Sequence, residues 1–228
     1  MGPWFDAWRR RLGWGSEFAD LDPEGPRGVL LRGHREYVGG YWEEIGQLQF
    51  DFLVAQGLRP EHTLLDIACG SLRLGVKAIP YLEPGHYLGI EKERALIRAG
   101  LEHELTPELR RERRPRILHD SRFRFRRFQQ QVDMAMAQSL FTHLPPDLIA
   151  LCLQRLRPCL QPEGVLFATF HEVEEARLNP AVPHDHGYFA YTRSQMEALG
   201  REQGYMPAYI GDWQHPRGQV MMAYRPLR

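Results

Sequence analysis

The sequence predicts a doubly wound α/β fold: a seven-stranded sheet, mostly parallel with an antiparallel C-terminal strand pair, and helices on both faces. Three observations carry that expectation. Short apolar runs alternate with stretches of helical periodicity through the middle of the chain, the pattern of repeated βαβ units. The run at 165–170 is almost continuously apolar, as a strand buried on both faces must be. The runs at 205–210 and 219–224 flank a turn-rich stretch, Gly211 to Gly218, and read as an antiparallel pair.

With 228 residues and 43% apolar content, one hydrophobic core fits the chain better than two. Residues 1–33 are rich in Gly, Pro, Trp and Arg without sustained periodicity, so they read as a loosely structured N-terminal extension with one short helix at about 4–12. Residues 34–228 then form a single domain. It opens with a cap helix over about 34–57, whose apolar stripe is Tyr41, Ile45, Leu48, Phe52 and Ala55 and whose stop is Gly57.

Strands are expected at 63–68, 86–90, 116–118, 132–137 and 165–170, ahead of the terminal pair. Helices are expected at 72–81 and 92–104, and from Pro146 with Ile149, Cys152, Leu153 and Leu156 on the buried face. Thr192 and Gln195 make a capping box for a further helix running toward Gly204. The long loop at about 172–191 reads as a lid, because structureless loops of that length in compact domains are usually functional.

Charge and cysteine usage exclude several classes. Lys+Arg and Asp+Glu total 29 each, so no overall field favours nucleic acid or an anionic membrane. No apolar run approaches the roughly 20 residues that cross a bilayer. Near the start, Arg9, Arg10 and Arg11 follow the apolar Trp4, Phe5 and Trp8 instead of preceding them, unlike a secretory signal. A cytoplasmic location is the expectation. Cys69, Cys152 and Cys159 are too scattered for a disulfide framework or a zinc site. His184-Asp185-His186 falls short of a full ligand set, so no metal is expected.

The stretch Leu64-Leu65-Asp66-Ile67-Ala68-Cys69-Gly70-Ser71-Leu72-Arg73-Leu74-Gly75 carries the most chemistry. It reads as a buried strand, a small-residue turn and a helix start. Ligands of open α/β sheets bind outside the carboxyl ends of the strands, where the strand order reverses. Gly70 lets a ligand lie against bare backbone, and the helix start supplies free N–H donors. The next run ends in Gly89-Ile90-Glu91, which sets an acid where it can accept both hydroxyls of a ribose. The G-x-G-x-x-G spacing that packs a pyrophosphate is missing, so a nucleoside without phosphates fits better than a dinucleotide.

These residues resemble the class I S-adenosylmethionine-dependent methyltransferases. Asp66-Ile67-Ala68-Cys69-Gly70-Ser71 is similar to their first motif, Glu91 to their ribose acid, and the segment from Ala135 to Leu144 to the strand-four segment of many bacterial members. The likeness spans roughly Tyr41 to Tyr224, with Ala68-Cys69 standing where a second glycine is usual. The resemblance implies a Rossmann-like domain that binds S-adenosylmethionine, releases S-adenosylhomocysteine and moves a methyl group to an O, N or S atom of a small-molecule acceptor. It implies Asp66 and Gly70 at the cofactor's amino-acid end, Glu91 at the ribose, and Asp120 and Ser121 at the adenine, with Ala68, Ser71, Arg73 and Lys92 among the other contacts. Asp120 also suits a helix N-cap ahead of 122–128.

Gln138 follows the fourth strand and should emerge beside Gly70, close to the transferring methyl. His143 and His171 are the candidate general bases, since imidazole titrates near neutrality. Tyr37, Trp42, Thr142, His143 and Tyr188 are the candidate acceptor contacts, Trp42 being equally suited to core packing. Nine arginines between residues 110 and 127 leave open an RNA methyltransferase or an RNA-binding module. Phe123, Phe125 and Phe128 interleave with them as on an element with one buried face. A pseudoenzyme that binds the cofactor without turnover is the other alternative, and the chain is expected to be a monomer or homodimer.

Overall fold

The computed structural model describes residues 23–227, so the helix expected at 4–12 lies outside the described residues. A mixed sheet organises the chain. Its strands are β1 (Leu64–Ile67), β2 (Tyr87–Glu91), β3 (Arg116–His119), β4 (Val132–Ala137), β5 (Leu160–Glu172), β6 (Ala190–Tyr191), β7 (Tyr205–Asp212) and β8 (Val220–Pro226). Seven run in the order β3-β2-β1-β4-β5-β8-β7, and the two-residue β6 pairs in parallel with the end of β5. The first five in that order are parallel, while β8 is antiparallel to both β5 and β7. This is a Rossmann-like, mostly parallel sheet with an antiparallel C-terminal pair.

Connections from β1 and β4 leave in opposite directions across the sheet, which opens a crevice at their carboxyl ends. β1 and β2 are buried along their whole length, so both faces of the sheet are covered here. One core cluster packs around Leu65, Ile67, Phe141, Ile149 and Phe170. A second gathers Leu53, Leu72, Ile79, Met136, Phe167 and Trp213.

The helices are α1 (Gly25–Arg32), α2 (His34–Tyr37), α3 (Trp42–Ala55), α4 (Gly75–Tyr81), α5 (Arg94–Ala99), α6 (Pro107–Arg113), α7 (Pro146–Leu156) and α8 (Arg193–Glu202). The capping box of Thr192 and Gln195 is present on α8. Among the described residues no helix is long and apolar enough to cross a membrane.

Several expectations are corrected. Residues 25–32 are helical, not loose; Gly28 and Val29 are buried and the Tyr37 hydroxyl accepts from the Gly25 N–H at 2.8 Å. The cap is two helices, because Gly39 and Gly40 at positive φ break it after α2. The buried face of α3 is Trp42, Ile45, Gly46, Gln49 and Leu53, a rotation away from the expected stripe that leaves Tyr41 exposed. Gly46 explains the rotation: a Cβ there would stand 3.0 Å from the Arg73 carbonyl oxygen, so this face can approach the turn after β1. The helix after β1 starts at Gly75, since residues up to Leu74 are taken by that turn. The stretch expected as one helix over 92–104 becomes α5 followed by a π-helical turn, Gly100–Glu104.

The arginine-rich segment is placed by its aromatics. Phe123, Phe125 and Phe128 are buried in the first core cluster, at roughly 1.5–3 kcal/mol each. Arg116 donates to the Phe128 carbonyl and to Gln130, while Arg124 and Arg127 pair with Asp120. Those three guanidiniums hold the segment to the edge of the sheet.

Candidate cofactor and acceptor cavity

The turn after β1 is shaped by backbone more than by side chains. Ala68, Gly70 and Leu72 all take positive φ, at 60°, 54° and 71°. Ala68 therefore keeps the left-handed bend that a glycine would make freely, at a cost of about 1–2 kcal/mol. Gly70 has less latitude, because a Cβ would lie 2.9 Å from Val38 Cγ1 in the cap. Gly70→Ala is expected to lower stability by about 1–2 kcal/mol from the positive φ alone, and to displace the cap at Val38. Thermal melting measures the first effect.

Asp66 is buried in β1 and accepts a hydrogen bond from the Tyr87 hydroxyl at 2.7 Å. Burial raises its pKa to about 7, the Tyr87 bond and Arg73 pulling the other way. Glu91 ends β2 one position beyond Ile90, which pairs with Ile67. Its carboxylate crosses to the neighbouring turn, one oxygen accepting from the Gly70 N–H at 3.0 Å and the other from the Glu93 N–H at 2.9 Å. Burial raises its pKa, and the backbone N–H groups of Glu93 and Gly70 limit the rise. Each oxygen keeps a second lone pair for a hydroxyl donor.

Asp120 follows β3 and combines two of its expected positions. It accepts from the Arg122 and Arg124 N–H groups at 2.7 and 3.3 Å, ahead of a 3-10 turn at Phe125–Phe128, and it also lines the cavity beside Ser121. Burial pushes its carboxyl up, but those amides and the Arg124 guanidinium leave it below the usual range.

The cavity at this sheet edge has a volume of about 1210 Å³. That exceeds the roughly 300–1,000 Å³ that holds one small ligand. Asp66, Ala68, Gly70, Arg73, Glu91, Lys92, Asp120, Ser121 and Gln138 all line it, as do Tyr37, Thr142, His143, His171 and Tyr188. Two expected residues stand outside. The Ser71 side chain is fully buried and donates to the His34 carbonyl, tying the turn to the cap. Trp42 packs edge-on against His34 beneath the Arg35 guanidinium, so its indole serves the fold of the cap.

Gln138 is the hub on the β4 side. Its Oε1 accepts from Arg73 at 2.6 Å, and its Nε2 donates to Ser139 Oγ at 2.6 Å and meets His215 Nε2 at 3.0 Å. Gln219 closes the network through Ser139 and Thr169. Arg73 also donates to the carbonyls of Val38 and Gly40, so one guanidinium joins the cap to the end of β4. Gln49 reaches the same corner from α3. Its Nε2 meets the Met136 sulfur at 3.6 Å while its buried Oε1 has no protein partner among the described residues. Gln49, Arg217 and Gln219 are among the cavity residues the sequence reading missed. Gln49 had left one sign, a polar side chain four residues after Ile45 on a buried helix face.

The lid loop is fastened to the cap and to the sheet edge. Asp185 accepts from the Tyr37 hydroxyl at 2.6 Å and pairs with Lys92, the residue after Glu91. His184 pairs with Glu24 at 2.8 Å, and His186 packs edge-on against Tyr37. The His184 N–H donates to the His143 carbonyl and the Phe189 N–H to that of Thr142, so the segment after β4 anchors the lid. The His143 ring faces the Gly187 backbone, and burial lowers its pKa to about 4. His171 stacks on Tyr188 at 4.5 Å, and its pKa is also lowered to about 4, first by burial and then by His143 and Arg217. Both imidazoles are neutral at pH 7.

No family model matches the sequence. Solved structures do match the fold. Magnesium protoporphyrin IX methyltransferase from Synechocystis PCC 6803, with S-adenosylmethionine bound, superposes with a TM-score of 0.58 at 13% identity, covering 98% of this chain and 91% of that one. An S-adenosylmethionine-dependent methyltransferase from Clostridium acetobutylicum gives 0.62 at 9% identity, covering 89% and 98%. The chain has the class I methyltransferase fold. A glycopeptide N-methyltransferase complexed with S-adenosylmethionine shares that fold at a TM-score of 0.62 and 12% identity, covering 79% of this chain and 94% of that one. The methyltransferase fold places the turn at Gly70, the end of β2 and the end of β4 around one crevice, where the cavity lies.

Proposed function

We propose that this protein is an S-adenosylmethionine-dependent methyltransferase acting on a small-molecule acceptor, with S-adenosylhomocysteine as product. The observation that carries the reading is the bare-backbone bend at Gly70, opposed by the Glu91 carboxylate, in a cavity too large for one ligand. The residues present fit the cofactor: an acid suited to a ribose diol, no glycine-rich cradle for phosphates, and a buried arginine on the same turn. Glu91 would hold the ribose, Asp120 and Ser121 the adenine edge, Asp66 the ammonium group, and Arg73 with Gln49 the amino-acid tail. The cofactor supplies a methyl group on a positively charged sulfur, a good leaving group.

Positioning is the protein's main task in such a transfer, and aligned reactants are worth several kcal/mol or more. Gln138, fixed by Arg73 and Ser139, walls the methyl's end of the cavity. Tyr37, Asp185 and Lys92 tie the lid loop across the cavity. His171 would take the proton of an O–H or N–H acceptor as the acceptor's lone pair forms the new bond to carbon. His143, engaged with the lid backbone, positions that loop. The acceptors named for the structural neighbours, a magnesium porphyrin and a glycopeptide, support a non-nucleic-acid acceptor.

The test is methyl transfer. Purified protein with methyl-labelled S-adenosylmethionine and a panel of phenols, amines, thiols and carboxylic acids should label at least one compound and release S-adenosylhomocysteine. Label transferred to RNA alone would move the acceptor to the arginine-rich face. Tight cofactor binding with no label in any acceptor would leave a binding protein, not an enzyme.

A further inference from the structure

The end of the cavity away from Glu91 holds two guanidiniums, Arg73 and Arg217, that bond only neutral groups. Arg73 is 8% exposed, yet it hydrogen-bonds only the neutral oxygens of Val38, Gly40 and Gln138. Arg217, on the turn between β7 and β8, donates to the Gly39 carbonyl and lies 5.5 Å over the Tyr41 ring. Among the described residues neither guanidinium forms an ion pair.

Three imidazoles share this corner. Burial lowers the pKa of His215 to about 3, with Arg73, His171 and Arg217 adding to the effect, and His171 feels both His143 and Arg217. Burial also brings Arg73 down to about 10, against the pull of Asp66. Of the acids that line the cavity, Glu91, Glu93 and Asp120 belong to the β2 and β3 side, Asp66 to β1 within electrostatic reach of Arg73, Glu36 to α2 of the cap, and Asp185 to the lid, where Lys92 pairs with it.

Arg73 is a desolvated cation with no carboxylate bonded to it, and an anion that reaches it relieves part of the cost of its burial. Arg217 is exposed and needs no such relief, but its guanidinium lines the same cavity without an ion pair among the described residues. The cofactor can supply an anion. Its carboxylate falls to Arg73, which shares a turn with Gly70. Arg217 is then left over, beside the parallel rings of His171 and Tyr188. Its planar guanidinium suits a carboxylate bonded through two parallel N–H groups.

Resting on the methyltransferase reading, we infer that the acceptor is a small carboxylic acid, its carboxylate held by Arg217 and its body laid against the His171–Tyr188 stack. Arg217 thereby sets acceptor specificity. The bound carboxylate also stabilises the imidazolium of His171, which makes that side chain a better base when the acceptor is seated.

The experiment titrates the complex with S-adenosylhomocysteine using matched pairs: 4-hydroxybenzoate, 3,4-dihydroxybenzoate and 4-aminobenzoate against their amides. S-adenosylhomocysteine is titrated first and alone, so failure of the cofactor reading shows as absence of that heat. At least one acid should bind about tenfold or more tightly than its amide. Arg217→Gln should erase the difference with the affinity for S-adenosylhomocysteine unchanged, and Arg217→Lys should restore part of it. Because Arg217 also touches Gly39 and Tyr41, the melting temperature of each variant is recorded beside its affinity. Acids that bind no better than their amides, no binding by any acid, or a preference that survives Arg217→Gln, would overturn the inference.

Discussion

Glu91→Gln is expected to weaken the binding of S-adenosylmethionine by about 30-fold or more. The carboxylate can accept two ribose hydroxyls, and hydrogen bonds to a charged group are worth about 1.5–3 kcal/mol against 0.5–1.5 for neutral pairs. Losing that difference twice is about 2–3 kcal/mol, or roughly 30-fold to 150-fold in affinity. The structure adds a second effect. Glu91 also satisfies the N–H groups of Gly70 and Glu93, and glutamine has one carbonyl oxygen where the carboxylate has two. Stability should therefore fall by about 1–3 kcal/mol, the cost of one unsatisfied buried donor. Calorimetry and thermal melting on the same preparation separate the two effects, and unchanged affinity would remove Glu91 from the ribose.

His171→Ala is expected to lower kcat about 10²-fold to 10⁴-fold for an acceptor that must lose a proton, with cofactor affinity unchanged. The pH dependence follows from the direction of the shift. Burial and nearby positive charge hold the His171 pKa at about 4, below the ordinary 6.5, so the basic form is present above pH 4 and lost as pH falls through it. The acid limb of kcat/KM should therefore lie near pH 4 in the free enzyme, with no inflection at 6.5. The alanine variant should lose that limb. A full rate in the variant would transfer the role of base to another group or assign an acceptor that sheds no proton.

The sheet was legible because its central parallel strands are buried on both faces and so write short apolar runs into the sequence, as at Leu64–Ile67 and Val132–Ala137. The turn at Gly70 and the acid at Glu91 were legible because bare backbone and a carboxylate at adjacent strand ends are local features. What escaped depends on contacts distant in sequence. Periodicity in 41–55 marks an amphipathic helix but not which side Gly46 presses on the Arg73 backbone, so the expected stripe was a rotation off. Arg217 reaches the cavity only because β7 and β8 return antiparallel beside β5. Ser71 and Trp42 sit in the right segments, but the cap takes their side chains for its own packing.

The central claim is that the Gly70 bend and Glu91 cradle an unphosphorylated adenosyl ligand. Titration of the protein with S-adenosylhomocysteine, followed by calorimetry and melting, tests it most directly. One saturable site is predicted, and at a ligand concentration 100 times Kd the gain is about 2.7 kcal/mol. In a chain of this length that corresponds to a rise in Tm of about 5–10 °C. A titration with no heat and an unmoved melting curve would contradict the account.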